Sequence, residues 1–236
     1  MDVVKQKNDW KEVWNKKGFQ NKDLHQLDGW DHLEKKQWDN FLSNSFFPIK
    51  DYLKNIDSIM ELGCGAGAAI RFINENYPNI LLNGFDYSES LIKICKDNIQ
   101  GNFWVDDAQN EKWVCEDEKY DFVFNVGTFI YLENEEYALE ALKKMYQTSK
   151  SGKILIIDIS DKEKEELAKK LRKETHQSSD KIIKEDLKHL YLPKSLFENF
   201  AKDNNCDITI FNQIDICNFD WNLSAPYRYN VIIEKK

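Results

Sequence analysis

From residue 58 to residue 159 the chain alternates short apolar runs with amphipathic ones, and few folds tolerate that rhythm. Residues 58–62, 80–85, 102–105, 120–126 and 153–159 read as strands, the last dense in β-branched side chains. Residues 66–76, 88–98 and 135–150 read as helices. The first stops ahead of Pro78, and Ser88 caps the second. Strand and helix at this spacing predict right-handed crossovers, hence a parallel sheet with helices on both faces.

The flanks read differently. Residues 1–50 are helical in pattern: Asp9 is placed to cap a helix that Gly18 ends, with Trp10, Val13 and Trp14 on one face. A second helix is expected over 31–42, with Trp30, Leu33, Trp38 and Phe41 on its apolar side. After the fifth strand comes a charged amphipathic helix, 161–174, and a polar link, 175–186, placed where a lid would sit. A helix at 193–204 and strands at 206–214 and 227–235 close the chain. The expected fold is a single α/β domain, doubly wound and three-layered. Its seven-stranded sheet is mostly parallel with an antiparallel last strand. The segments are a helical cap (1–50), a core (51–160), a helical insertion (161–195), and a closing helix and strands (196–236).

Composition removes several classes. With 33 Lys and Arg against 41 Asp and Glu, the net charge of −8 is wrong for nonspecific nucleic-acid binding. Residues 1–20 are charged and carry no apolar stretch, and no run reaches the length of a membrane span, so a cytoplasmic protein is expected. The five cysteines (Cys64, Cys95, Cys115, Cys206, Cys217) are odd in number and form no C-x-x-C pair. Reduced thiols, with neither a metal site nor a disulfide framework, are the reading. Oligomeric state has no signature here.

The first strand runs straight into "ELGCGAG", three of the chain's nine glycines within five positions. Glycines between a strand and a helix let backbone approach a ligand and aim the first helical N–H groups at it. Gly63, Gly65 and Ala68 satisfy the dinucleotide pattern G-x-G-x-x-A, so a nicotinamide-dependent oxidoreductase stays open at this point. Glu61 leans the other way: a carboxylate would crowd a pyrophosphate but suits a cationic amino-acid group. Asp86, ending the second strand, is placed to accept from ribose hydroxyls. After the third strand, Asp107 suits an adenine amino group and the Ala108 backbone the ring edge.

Taken in order, E-L-G-C-G-A-G, G-F-D-Y-S, D-D-A, Y-D-F-V-F-N-V-G and S-G-K-I-L-I-I-D resemble the motif series of class I S-adenosylmethionine-dependent methyltransferases. The resemblance covers about residues 56–160. It implies that the loop holding Gly63, Cys64, Gly65 and Gly67 lies against the methionine moiety, supported by Glu61. It implies further that Asp86 binds ribose, that Tyr87 and the adjoining Ser88 meet the adenosine, and that Asp107 and Ala108 read adenine. Asn125, Val126 and Gly127 are then expected near the sulfonium. The fifth motif departs slightly, lacking a glycine often present there.

Methyl transfer from a sulfonium needs alignment and a dry pocket, and a base only when the acceptor is protonated. Acceptor-side residues are therefore read from outside the sheet. His25 and Asp28 lie in a polar, glycine-containing link, placed either as a substrate-facing loop or as a plain connection. His189, Tyr191 and Lys194 are interleaved with leucines ahead of a helix, and His189 is the candidate general base. Tyr131, after the fourth strand, is placed at the pocket mouth. Arg228 stands between two tyrosines, either on the surface or as a guanidinium fork for a carboxylate or phosphate. The expected function is methyl transfer from S-adenosyl-L-methionine to an O or N atom of a small polar, anionic or sugar-type acceptor. The alternatives are the oxidoreductase and a noncatalytic protein that binds the same cofactor.

Overall fold

The computed structural model describes residues 3–110, 119–176, 188–217 and 219–236. Four helices precede the sheet: α1 (Val3–Lys17), α2 (Leu24–Leu27), α3 (Lys35–Phe46) and α4 (Lys50–Leu53). There follow β1 (Ser58–Leu62), α5 (Ala68–Asn76), β2 (Leu81–Asp86), α6 (Glu89–Asn98), β3 (Asn102–Val105), β4 (Phe122–Val126), α7 (Glu135–Thr148) and β5 (Ile154–Ser160). The chain closes with α8 (Glu165–His176), α9 (Lys194–Asp203), β6 (Cys206–Asn212), α10 (Gln213–Ile216) and β7 (Arg228–Lys235).

The seven strands lie in the order β3-β2-β1-β4-β5-β7-β6. Strands β1 to β5 are parallel, and β7 runs antiparallel to both its neighbours, β5 and β6. The direction of the chain reverses between β3 and β4, on either side of β1. That is where the crevice of a doubly wound sheet opens.

Period-two alternation sorts the sheet into two apolar layers. Ile59, Phe122, Phe124, Leu155 and Ile157 face one layer, with α3, α5 and α6 packed on it. Met60, Val123, Ile154 and Ile156 face the other, against α7 and α9. The N-terminal helices are part of the first layer: Trp38, Phe41, Leu42 and Phe46 are buried, and the Phe46 ring meets Phe124 edge-on at 5.5 Å. Burying a side chain of this size contributes about 1.5–3 kcal/mol, which ties the cap firmly to the sheet.

Several boundaries differ from the sequence reading. Helix α1 runs through Asp9 instead of starting there. Helix α3 starts and ends later than 31–42, because Glu34 takes the cap position and its N–H donates to Gln37 Oε1 at 2.8 Å. Helix α5 starts at Ala68, since Gly67, at φ 90°, occupies the cap. Gln213 and Ile214 belong to α10, not to the strand before it. Most of the polar link at 175–186, and Cys115, lie outside the described residues.

Candidate active site

The cavity opens over the C-terminal ends of β1, β2, β4 and β5, with the N-terminal helices across from them. Its floor is the glycine loop. Gly63, Gly65 and Gly67 all hold positive φ, at 70°, 53° and 90°. At Gly65 this freedom is required twice over, because a Cβ there would also collide with the Asp28 carboxylate.

The loop's amides are already engaged. Cys64 N–H donates to Phe85 O at 2.9 Å, and Gly67 N–H to Cys64 O at 2.8 Å. Gly65 N–H donates to Asp86 Oδ2 at 3.1 Å. Ala66 and Ala68 N–H donate to the two oxygens of Asp28, at 2.6 and 3.0 Å. The positive end of α5 is thus stopped by an acid of the protein itself.

Three carboxylates crowd this end of the cavity. Glu61 is 2% exposed, and its Oε2 has no hydrogen-bond partner among the described residues. Burial, with Asp28 and Asp86 nearby, pushes its carboxyl well above the usual range. Burial also lifts Asp28 to about 7, against the opposing pull of the Ala66 and Ala68 amides. Asp86 rises to about 6 by the same desolvation, although Ser88 and Gly65 N–H donate to it. Buried acids held this close to neutrality mark a site that a cationic group would relieve.

The other residues read for the cofactor divide. Tyr87, Val126 and Gly127 line the cavity, and so does the buried Cys64, whose thiol burial pushes up. Ser88 is a structural cap: its Oγ accepts from Leu91 N–H and donates to Asn15 Oδ1. Asn125 does not reach the cavity. Its Nδ2 donates to Leu62 O at 2.7 Å and its Oδ1 accepts from Thr128 N–H at 3.3 Å, strapping β4 to β1. Asp107 and Ala108 also lie outside the cavity lining. Asp107 Oδ1 accepts from Gln109 N–H, and Ala108 edges a separate hollow beside Lys144. Residues 111–118, which follow in sequence, are outside the described set.

On the acceptor side the structure gathers residues from distant segments. Tyr131 meets Trp10 at 4.7 Å, Trp14 at 5.1 Å and His189 at 5.4 Å between ring centroids. Burial pushes the Tyr131 hydroxyl up to about 12, so it stays neutral. His189 stacks on Trp10 and lines the cavity. Arg228 reaches in from the start of β7, with Nη1 donating to Ser160 Oγ at 2.6 Å and to Asp158 O at 3.4 Å.

Three readings on this side are corrected. His25 is 1% exposed and outside the lining; its Nε2 donates to Leu33 O at 2.8 Å. Tyr191 is buried and is not among the residues that line the cavity. Lys194 is likewise outside it, 3.5 Å from Asp161 Oδ2 and bonded to Asn212 Oδ1. Asp28 does line the cavity, but its carboxylate belongs to the glycine loop.

His32, Thr128, Asp158 and Ser224 also line the cavity and were not read from the sequence. Only Asp158 carried a signal: an acid inside "ILIIDIS" is out of place in a buried strand. Among the described residues no cluster of His, Cys, Asp and Glu is arranged to hold a metal ion, and no helix is long and apolar enough to cross a membrane.

Strand order, glycine loop and cavity together define a doubly wound, Rossmann-like domain, the fold shared by the solved S-adenosylmethionine-dependent methyltransferases it resembles. Residues 59–152 match a family profile described as "Methyltransferase domain". The chain is 28% identical over 143 residues to malonyl-[acyl-carrier protein] O-methyltransferase 2 of Ilyobacter polytropus, covering 57% of this chain and 53% of that protein. It is 29% identical over 109 residues to trans-aconitate 2-methyltransferase of Rhizobium rhizogenes, covering 46% and 41%. The matched segments thus span about half the length of these curated relatives. Among solved structures, the plantazolicin methyltransferase BpumL, in complex with a triazolic desmethylPZN analog and SAH, covers 99% of this chain and 98% of its own. Its TM-score is 0.64 at 16% identity, a likeness of fold. Magnesium protoporphyrin IX methyltransferase of Synechocystis PCC 6803, with bound SAM, matches at TM-score 0.56 and 13% identity over 86% and 80% of the two chains.

Proposed function

We propose that the protein transfers a methyl group from S-adenosylmethionine to an oxygen or nitrogen of a small, carboxylate-bearing acceptor. The observation that carries this is the state of the glycine loop. Its amides are given to Asp28 and Asp86, and a third acid, Glu61, stands beside them with an unpartnered oxygen. A pyrophosphate would find the N–H groups of Gly65, Ala66, Gly67 and Ala68 already taken and three carboxylates around them, which disfavours the dinucleotide reading. An amino-acid tail on adenosine fits: Glu61 takes its ammonium and Asp86 keeps lone pairs for ribose hydroxyls. When bound, S-adenosylmethionine supplies a methyl group on a positively charged sulfur.

The chain's own residues supply alignment and dryness. Trp10, Trp14 and Tyr131 form an aromatic seam that excludes water from the cavity. The guanidinium of Arg228, steadied through Nη1 by Ser160, presents its remaining N–H groups to an anionic acceptor. The names of the two curated relatives support an acid as acceptor, since malonyl and trans-aconitate groups both bear carboxylates. His189 is placed to take a proton where the acceptor carries one. The protein is read as acting on a small molecule, not on nucleic acid, and in the cytoplasm.

Calorimetric titration with S-adenosylhomocysteine and, separately, with NAD tests the cofactor assignment. Binding of NAD in place of S-adenosylhomocysteine would overturn it. Incubation with methyl-labelled cofactor and a small-molecule extract then tests transfer. Cofactor binding with no labelled product would favour the noncatalytic alternative.

A further inference from the structure

The oddest residue of the sheet is Asp158. Between Ile156 and Ile159, which pair with Val231 and Tyr229 of β7, strand β5 holds one residue too many. Ile156 and Ile159 both pack into the layer of α7 and α9, while Ile157 packs into the other. Asp158 absorbs the mismatch at φ 67°, left-handed backbone that costs an L side chain energy. Its N–H is held by Asn230 Oδ1 at 2.9 Å. Bulges of this kind re-aim a side chain, and this one turns a carboxylate into the cavity wall.

That carboxylate is 5% exposed, and only half provided for. Oδ2 lies 3.7 Å from Arg228 Nη1, a charge contact too long for a hydrogen bond. Oδ1 is buried and has no partner among the described residues. Arg228 balances the charge; no described residue supplies the hydrogen bond. A buried acceptor in that state is stabilised by any donor that enters.

We propose that Asp158 Oδ1 accepts a hydrogen bond from the methyl acceptor, which therefore carries a hydroxyl or amino group beside the carboxylate held by Arg228. The inference rests on the anion-binding role given to Arg228 above. The carboxylate and the guanidinium touch through Asp158 Oδ2 and Arg228 Nη1, 3.7 Å apart, so the ligand groups that the two side chains hold sit close together on one small molecule. The shared chemistry is that of a 2-hydroxy or 2-amino acid. Asp158 is then the residue that separates such acids from unsubstituted ones of the same length and charge.

The test is calorimetry on the protein saturated with S-adenosylhomocysteine. The probes are propionate, lactate and alanine, then succinate, malate and aspartate, series that differ in the donor. The wild type is expected to bind a hydroxy or amino acid about tenfold or more tighter than its parent. Lactate against alanine, and malate against aspartate, tell hydroxyl from amine. Asp158→Asn keeps the side-chain shape and tolerates left-handed backbone, so it is expected to fold, which its melting curve checks. That variant should lose the preference. A residue serving only as counterion to Arg228 would instead weaken every acid alike and leave the preference intact. The proposal is overturned if parent and substituted acids bind the wild type equally, if none of them binds, or if the preference survives in Asp158→Asn. Arg228→Gln keeps the two readings apart. Unchanged affinities in that variant would remove the anion clamp, whereas failure of the present inference removes only the preference for a donor.

Discussion

The two ends of the cavity are built by opposite means. At the cofactor end, Glu61, Gly63, Cys64 and Gly65 come from one strand and the loop that follows it. At the acceptor end, Trp14, Tyr131, Asp158, His189 and Arg228 come from five separate segments. The first is rigid backbone wired to acids: Asp28 and Asp86 hold four polar contacts with the loop and its flank. The second is a set of side chains, with one guanidinium and one acid left partly unsatisfied. The difference teaches a division of labour, in which the cofactor end is fixed in advance and the acceptor end holds the groups that choose.

The largest expected effect falls at the fixed end. Asp86→Asn keeps the shape but removes the charge that accepts from Gly65 N–H and awaits the ribose. Hydrogen bonds to charged groups are worth about 1.5–3 kcal/mol, so S-adenosylhomocysteine affinity should fall about 100-fold by calorimetry. Its melting temperature should stay near that of the wild type. Undiminished affinity would break the division at its stronger half.

Next comes the choosing end. Arg228→Gln should raise the acceptor KM about 10- to 30-fold, through loss of charge-assisted bonds, while the cofactor KM stays within about twofold. Steady-state kinetics with either substrate varied reads both values. A parallel rise in both would mean that Arg228 braces the whole cavity and the two ends are one unit.

Acidity gives a subtler probe of the cofactor end. In the empty protein Asp28 sits at about 7 and Asp86 at about 6, both above the ordinary 3.8. A cationic ligand favours their ionised forms, so S-adenosylmethionine affinity should climb about tenfold or less between pH 5.5 and 8. Stability of the empty protein has the opposite sign. These acids bind protons more tightly folded than unfolded, so their contribution falls as pH rises from about 4 to about 7. Melting curves with and without ligand should therefore diverge with pH, and Asp28→Asn should flatten the divergence. Parallel curves would show that neither acid meets the ligand.

How far the sequence could be read follows the same division. The strands announce themselves because a buried parallel sheet needs apolar runs, and the glycines because positive φ at Gly63, Gly65 and Gly67 is expensive for other residues. Such constraints act within a few positions, so a local pattern records them. Asp28 defied reading because its partners, Ala66 and Ala68, are 38 and 40 residues away. Asn125 entered as a cofactor contact only through the motif resemblance, which carries no information on its partner, and Leu62 O claims its Nδ2. Asp158 was visible only as an acid in an apolar strand. Its meaning depends on a bulge that strand pairing creates.

The smallest effect on catalysis is expected at His25, and it checks where the acceptor end stops. Its Nε2 donates to Leu33 O at 2.8 Å, and its ring stacks on Trp38 at 6.5 Å between centroids. Both contacts lie within the apolar layer that fastens the cap to the sheet. Gln reproduces neither the ring nor the angle of the bond, so His25→Gln should cost about 1–3 kcal/mol of stability in denaturant titration. Acceptor and cofactor KM should each stay within about twofold below the melting temperature. A selective rise in acceptor KM would place the α2 segment inside the choosing end after all. The aromatic wall of Trp14 and Tyr131 would then be a partition between two compartments instead of an outer boundary.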